Sequence, residues 1–335
     1  MTLTRPSPGV SAGGEPAGRP GVGRAVAVLV LVALAALIPL LGPSAALHGT
    51  GEAPAPGTAG IALLRTVLFA ALCVPLGELF LRRLARSMPG TPPAMPRSWA
   101  PYAAAAGFVA ALGLASVVST GNLVPTSPAD LDVGGLYASR DGKLALLEVN
   151  AFAVAGLCAL SRRPATQVWP LAAVAVAESL RAHPTTEHGP LLGSGLTLVH
   201  LLCASLWAGG LLYALRTLRG WDDREAGAAL LGLYARVAAV LLAAVTATGV
   251  WSSLRRMPSD TILEQLTDTA YGRALLAKVI LMVAVAALAL WARIRLRRAA
   301  DPLTACTPAR AEVVVLGVVV ALSGLLTALP VPIRW

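Results

Sequence analysis

Nine apolar runs constrain this chain more than any other feature. They cover residues 25–47, 61–81, 102–118, 144–160, 164–180, 191–215, 228–254, 274–294 and 313–329. A hydrocarbon core of ~30 Å takes roughly 20 residues of helix, so runs of this length can each cross a bilayer. Lipid offers no hydrogen bonds, and continuous apolar runs satisfy their own backbone only as helices. Composition agrees: 56% of residues are hydrophobic and 13% charged, against roughly 25% charged in a soluble domain. The expected fold is an all-α, polytopic integral membrane helix bundle with about nine transmembrane helices. Pro170 interrupts the fifth run and makes it the least regular.

The formal charge is +10. On one clustered face it would point to nucleic acid, but the basic residues sit mostly in short gaps between apolar runs, which excludes that partner and makes the charge a topology signal. With the N-terminus inside, the inner segments hold 17 Lys and Arg and the outer segments 7, the bias expected of cytoplasmic loops. Arg255 and Arg256 are the exception. The expected orientation is N-terminus in, C-terminus out, for a multi-pass protein of the cytoplasmic membrane. Residues 1–23, rich in Pro and Gly, read as a disordered cytoplasmic tail. The first run has a cleavage-like Pro43-Ser44-Ala45-Ala46-Leu47 but exceeds a signal peptide's apolar core, so it reads as a retained helix.

Cys73, Cys158, Cys203 and Cys306 are isolated, which excludes a disulfide scaffold or zinc ribbon. No GxSxG, HExxH or phosphate-binding loop occurs, and the chain is not expected to be an enzyme.

Ionisable groups inside spans are expensive, so their placement is informative. Arg65, Glu148 and Lys278 each lie four residues in from the outer end of a run, about 6 Å deep. Glu178 and Asn150 join that layer. Either these side chains snorkel independently, or they form a polar outer vestibule in which Glu148 or Glu178 balances Lys278 or Arg65. Shared depth makes Lys278 and Glu148 the expected coupled pair.

The sixth run carries the densest chemistry. His200, Cys203 and Trp207 are spaced i, i+3, i+7 and share a helix face. Imidazole with thiolate suits copper(I); alternatively Cys203 is a small buried hydrophobe and His200 bonds across helices. Gly209 and Gly210 would let another helix approach closely. His183, His188 and His200 fall within an 18-residue window on one membrane side, and His48 lies on that side too. His200 is about 13 Å in from Leu191, and a neutral imidazole at that depth needs a partner. The candidate metal ligands are therefore His200 with His183, or with His188 if the loop folds differently, and Cys203, with Glu178 and Glu187 orienting the rings. Imidazole binds metal deprotonated, so affinity should weaken below about pH 6.5. With His200 the sole deep histidine, a bis-histidine haem is not expected.

Several stretches resemble the copper resistance protein D (CopD) family of bacterial inner-membrane proteins. They are Ala182-His183; His200 through Leu211; Tyr234-Ala235-Arg236-Val237-Ala238 with Thr248-Gly249-Val250; Thr269 through Lys278; and Arg310-Ala311-Glu312. They span roughly residues 178–330, so 178–335 reads as a CopD-like membrane domain and 24–177 as additional membrane helices that match only in style. The resemblance implies copper handling, as uptake or resistance, together with an extracytoplasmic copper-binding protein. His183 and His200 match the family's histidines, while Trp207, Arg236, Tyr271, Lys278 and Glu312 match positions of structural or gating character. The chain has only five methionines, so it lacks the thioether ladder that would hold copper(I) tightly. The alternative is a non-transporting membrane assembly or sensor protein for copper enzymes.

Overall fold

Within the described residues each apolar run folds as helix in the computed structural model, which describes residues 35–88, 95–121, 123–125, 127–183, 185, 189–257, 261–298 and 302–330. The tail expected at 1–23 lies outside them. The helices are α1 (Ala35–Leu47), α2 (Thr58–Arg86), α3 (Ala100–Ser119), α4 (Val133–Ala138), α5 (Arg140–Leu160), α6 (Val168–Arg181), α7 (Pro190–Leu218), α8 (Arg224–Arg256), α9 (Ile262–Asp268), α10 (Ala270–Arg298) and α11 (Cys306–Ala328). There is no strand among the described residues. Seven helices, α2, α3, α5, α7, α8, α10 and α11, are long and apolar enough to cross a membrane.

The fifth run differs from its expected form. Its first residues make a 3-10 turn, Pro164–Gln167, and α6 has 14 residues, about 21 Å of helix. Pro170 sits in the first turn of α6, where a missing N–H costs no intrahelical bond, so the helix starts late instead of breaking.

Interhelical bonds gather one set of helix ends. Arg140 donates to Leu180 O at 2.9 Å, Arg255 to Gly189 O at 3.2 Å, and Arg273 to His48 O at 2.6 Å. These bonds join the starts of α5, α7 and α10 to the ends of α6, α8 and α1, all of which the charge pattern assigns to the outer side.

Three apolar clusters form the core among the described residues, the smallest around Met257, Tyr271 and Leu325; the other two meet at α2. Leu68, Leu72, Phe152 and Leu171 belong to one, built by α2, α3, α5 and α6. Trp207, Leu211, Leu230, Tyr234 and Leu316 belong to the other, built by α7, α8 and α11 with the far end of α2. These two clusters meet where α2 touches α7 backbone to backbone: a Cβ on Gly209 would stand 1.8 Å from Cys73 O, and one on Gly77 2.0 Å from the Gly209 carbonyl carbon. By contrast, α10 rests on α11 and α9 and barely touches α8, which leaves a crevice between α8 and α10.

Gly209→Val should therefore cost about 3 kcal/mol or more, since overpacking here pushes on backbone. Gly195→Ala, with nothing near its Cβ, should elute from size exclusion like wild type. For topology, a reporter active only in the cytoplasm should stay silent when fused after Trp335 and signal when inserted at Arg162.

Candidate functional site

At the helix ends that the charge pattern assigns to the outer side, α2, α5 and α6 enclose a buried ion network. Arg65 donates to Glu178 at 2.5 Å and Arg181 to Glu148 at 2.7 Å, with Arg181 also 3.8 Å from the second Glu178 oxygen. The Glu148 side chain is wholly buried. Two cations and two anions in close contact offset much of the desolvation that a lone charge would suffer. The expected pairing of Glu178 with Arg65 is present, but Lys278 is not the partner of Glu148. Equal depth did not make them neighbours, because α5 packs on α3 and α6 while α10 packs on α11 and α9. Arg181, one residue past the fifth apolar run, is the last residue of α6 and reaches back to Glu148. Asn150 stays outside the network and donates to Leu146 O of its own helix.

A third buried acid, Glu78, stands at the other end of α2. Glu78 accepts from Ser98 Oγ at 2.5 Å, Trp99 N at 2.7 Å and Arg216 at 3.3 Å, and the Arg216 guanidinium stacks 3.5 Å from the Trp99 ring centroid. Glu78 fastens the segment before α3 to α2 and α7. Its signal was a lone acid in Leu76-Gly77-Glu78-Leu79-Phe80-Leu81, masked by the arginines that follow.

Along the crevice three cavities lie end to end. The outer one, about 390 Å³, is lined by His200, Trp207, Lys278, Met282 and Ser323 among apolar side chains. His200 Nδ1 shares a 3.0 Å hydrogen bond with Thr248 Oγ1 of α8. Gly249 leaves room for the ring: a Cβ there would stand 3.4 Å from His200 Cε1. The middle cavity, about 190 Å³, is lined by Tyr234, Arg293 and Glu312. Trp207 borders both cavities; its Nε1 donates to Glu312 at 3.1 Å, and Tyr234 OH donates to its carbonyl at 2.7 Å. The innermost cavity, about 390 Å³, is lined by Arg236, Arg293 and Arg297.

His183 is buried at the end of α6, its Nε2 2.9 Å from Thr197 Oγ1 on α7. Each of the two imidazoles is thus bonded to a hydroxyl on α7 or α8. Cys203 faces the apolar cluster of Trp207 and Leu211, and from α7 it is Ala204 and Ala208 that line the outer cavity beside His200 and Trp207. His188 and Glu187 lie outside the described residues, and His48 is exposed at the end of α1. Among the described residues no group of three or more His, Cys, Asp or Glu is placed to hold a metal ion. The arrangement offers a route lined by single donors.

Glu148→Gln or Arg181→Gln alone should lower unfolding free energy in detergent by about 3–5 kcal/mol, and the double variant by much less than the sum. Lys278→Gln combined with Glu148→Gln should be additive; coupling there would contradict the pairing described.

Comparison with curated proteins and with solved structures gives no match. Residues 228–326 match the family model described as copper resistance protein D (CopD). The match covers most of α8 through α11, including Tyr234, Lys278 and Glu312, and begins after His183 and His200. From α8 to α11 the chain is thus similar to copper resistance protein D, within a chain whose long apolar helices are those of a multi-pass membrane protein.

Proposed function

We propose that the chain carries copper inward across the cytoplasmic membrane along the crevice between α8 and α10. The observation that supports this reading is the position of Trp207, bordering a histidine-lined cavity on one side and a cavity holding Glu312 on the other. Copper, delivered by an extracytoplasmic copper-binding protein, meets imidazole first, at His183 and then at His200. Thr197, the partner of His183, is three residues and about 4.5 Å up α7 from His200. Imidazole is a good donor for copper, and a single imidazole at each stage holds the ion less firmly than a closed set would. Lys278 lines the His200 cavity and repels a resident cation. Weak holding suits passage, since conduction needs sites that release. The Trp207–Glu312 bond must open for the ion to pass.

Cells expressing His200→Ala at wild-type membrane levels should accumulate several-fold less copper than wild type, by elemental analysis of washed cells. Lys278→Gln should raise the copper retained by purified protein. Wild-type accumulation in His200→Ala would remove the histidine route and favour the assembly or sensor reading.

A further inference from the structure

The innermost cavity has a charge pattern that copper passage does not explain. Arg236 on α8 and Arg293 and Arg297 on α10 line one space of about 390 Å³ with Gly232, Leu233 and Leu296. Among the described residues none of the three forms a hydrogen bond or an ion pair, whereas Arg65, Arg181 and Arg216 all pair with acids. The acids in the surroundings line adjoining cavities and form no ion pair with these arginines. Asp223 and Glu225 line an adjoining cavity on another side of Arg236, and Asp223 already accepts from Glu225 N and Ala226 N at the start of α8. Glu312 shares the middle cavity with Arg293 and accepts from Trp207. Three guanidinium groups around one space with no counter-charge call for an anion, and guanidinium forks match phosphate oxygens two at a time.

Two further observations fix the anion's class. Arg293 and Arg297 fall in the last two turns of α10, which ends at Arg298, the level where a membrane helix meets the headgroups. The arginine cavity also shares Ala235, Arg293 and Leu296 with the middle cavity, whose wall continues through Leu242, Ala286, Ala289 and Leu290. A charged pocket at the interface running into an apolar crevice fits a molecule with an anionic head and a hydrocarbon tail. We propose that Arg236, Arg293 and Arg297 bind the phosphate of an anionic phospholipid, with an acyl chain lying against Ala289, Leu290 and Leu296 at the mouth of the crevice, clear of Trp207 and Glu312. Basic pockets between transmembrane helices hold headgroups in this way.

Native mass spectrometry and thermal shifts on the delipidated full-length protein test this, with phosphatidylglycerol, phosphatidylcholine and inorganic phosphate as probes. Wild type should retain one phosphatidylglycerol per chain and bind it about tenfold or more tightly than phosphatidylcholine. Arg236→Gln/Arg293→Gln/Arg297→Gln should lose that preference, and Arg297→Gln alone, at an exposed position, should weaken it without loss of fold. Arg293→Gln/Arg297→Gln should lose the preference too, whereas Arg295→Gln/Arg298→Gln, which removes equal charge from the same end of α10 but from outside the cavity, should keep it. Equal loss in that control would mean a diffuse basic field and overturn the site. Displacement of the lipid by inorganic phosphate at matched concentration would make free phosphate the ligand and overturn the lipid assignment.

Discussion

The contact of α2 with α7 at Gly77 and Gly209 fixes everything else in the bundle. No side chain separates the two backbones there, so the helices lock in one register, as small residues allow where lipid provides no hydrophobic drive. Cys73 Sγ and Ser205 Oγ, 3.6 Å apart, flank the crossing. With this face of α7 held against α2, Trp207 turns towards α8 and α11, where Tyr234 and Glu312 take up its carbonyl and its indole N–H. The same registration leaves His200 facing Thr248, one side of the crevice. The crevice wall is therefore set by a glycine contact on the opposite flank of α7.

Charge divides the molecule along that contact. On the α2, α5, α6 side each buried acid meets a guanidinium: Glu78 with Arg216, Glu148 with Arg181, Glu178 with Arg65. Such pairs add little net stability over apolar packing, but removing one member strands a buried charge, so they hold these helices to one arrangement. Along the crevice the matching stops. Lys278, Arg236, Arg293 and Arg297 have no ion pair among the described residues, and Glu312 has an indole instead of a cation.

The sequence made the helices legible because a bilayer sets both length and polarity, and seven of nine apolar runs appear as long apolar helices. It gave depth well and neighbours poorly. Hydropathy locates Glu148 and Lys278 along their helix axes, but which helix each faces depends on packing, and that separated them. Arg181, just past the end of its run, reads as loop, although the helix continues through it. Glu78 was hidden in the same way. The family resemblance was firmest at Tyr234, Lys278 and Glu312, inside the matched stretch, while His183 and His200 precede it. The histidines rest on the chemistry of imidazole at depth and on a resemblance outside the matched stretch.

An unmatched charge at the depth of Lys278 costs several kcal/mol in hydrocarbon, and substitution to Leu or Ala could have removed any of these four charges at no cost to the fold. The chain has shown that it can neutralise buried charge, since it does so three times within α2, α5, α6 and α7. Charge left unmatched in the other half thus reflects a demand other than stability. These groups all border the row of cavities beside α10, whose apolar window is only 11% buried against 44% for α7. Local rules of satisfaction and packing are broken together, at one place, which is the pattern expected where a fold gives up stability for function.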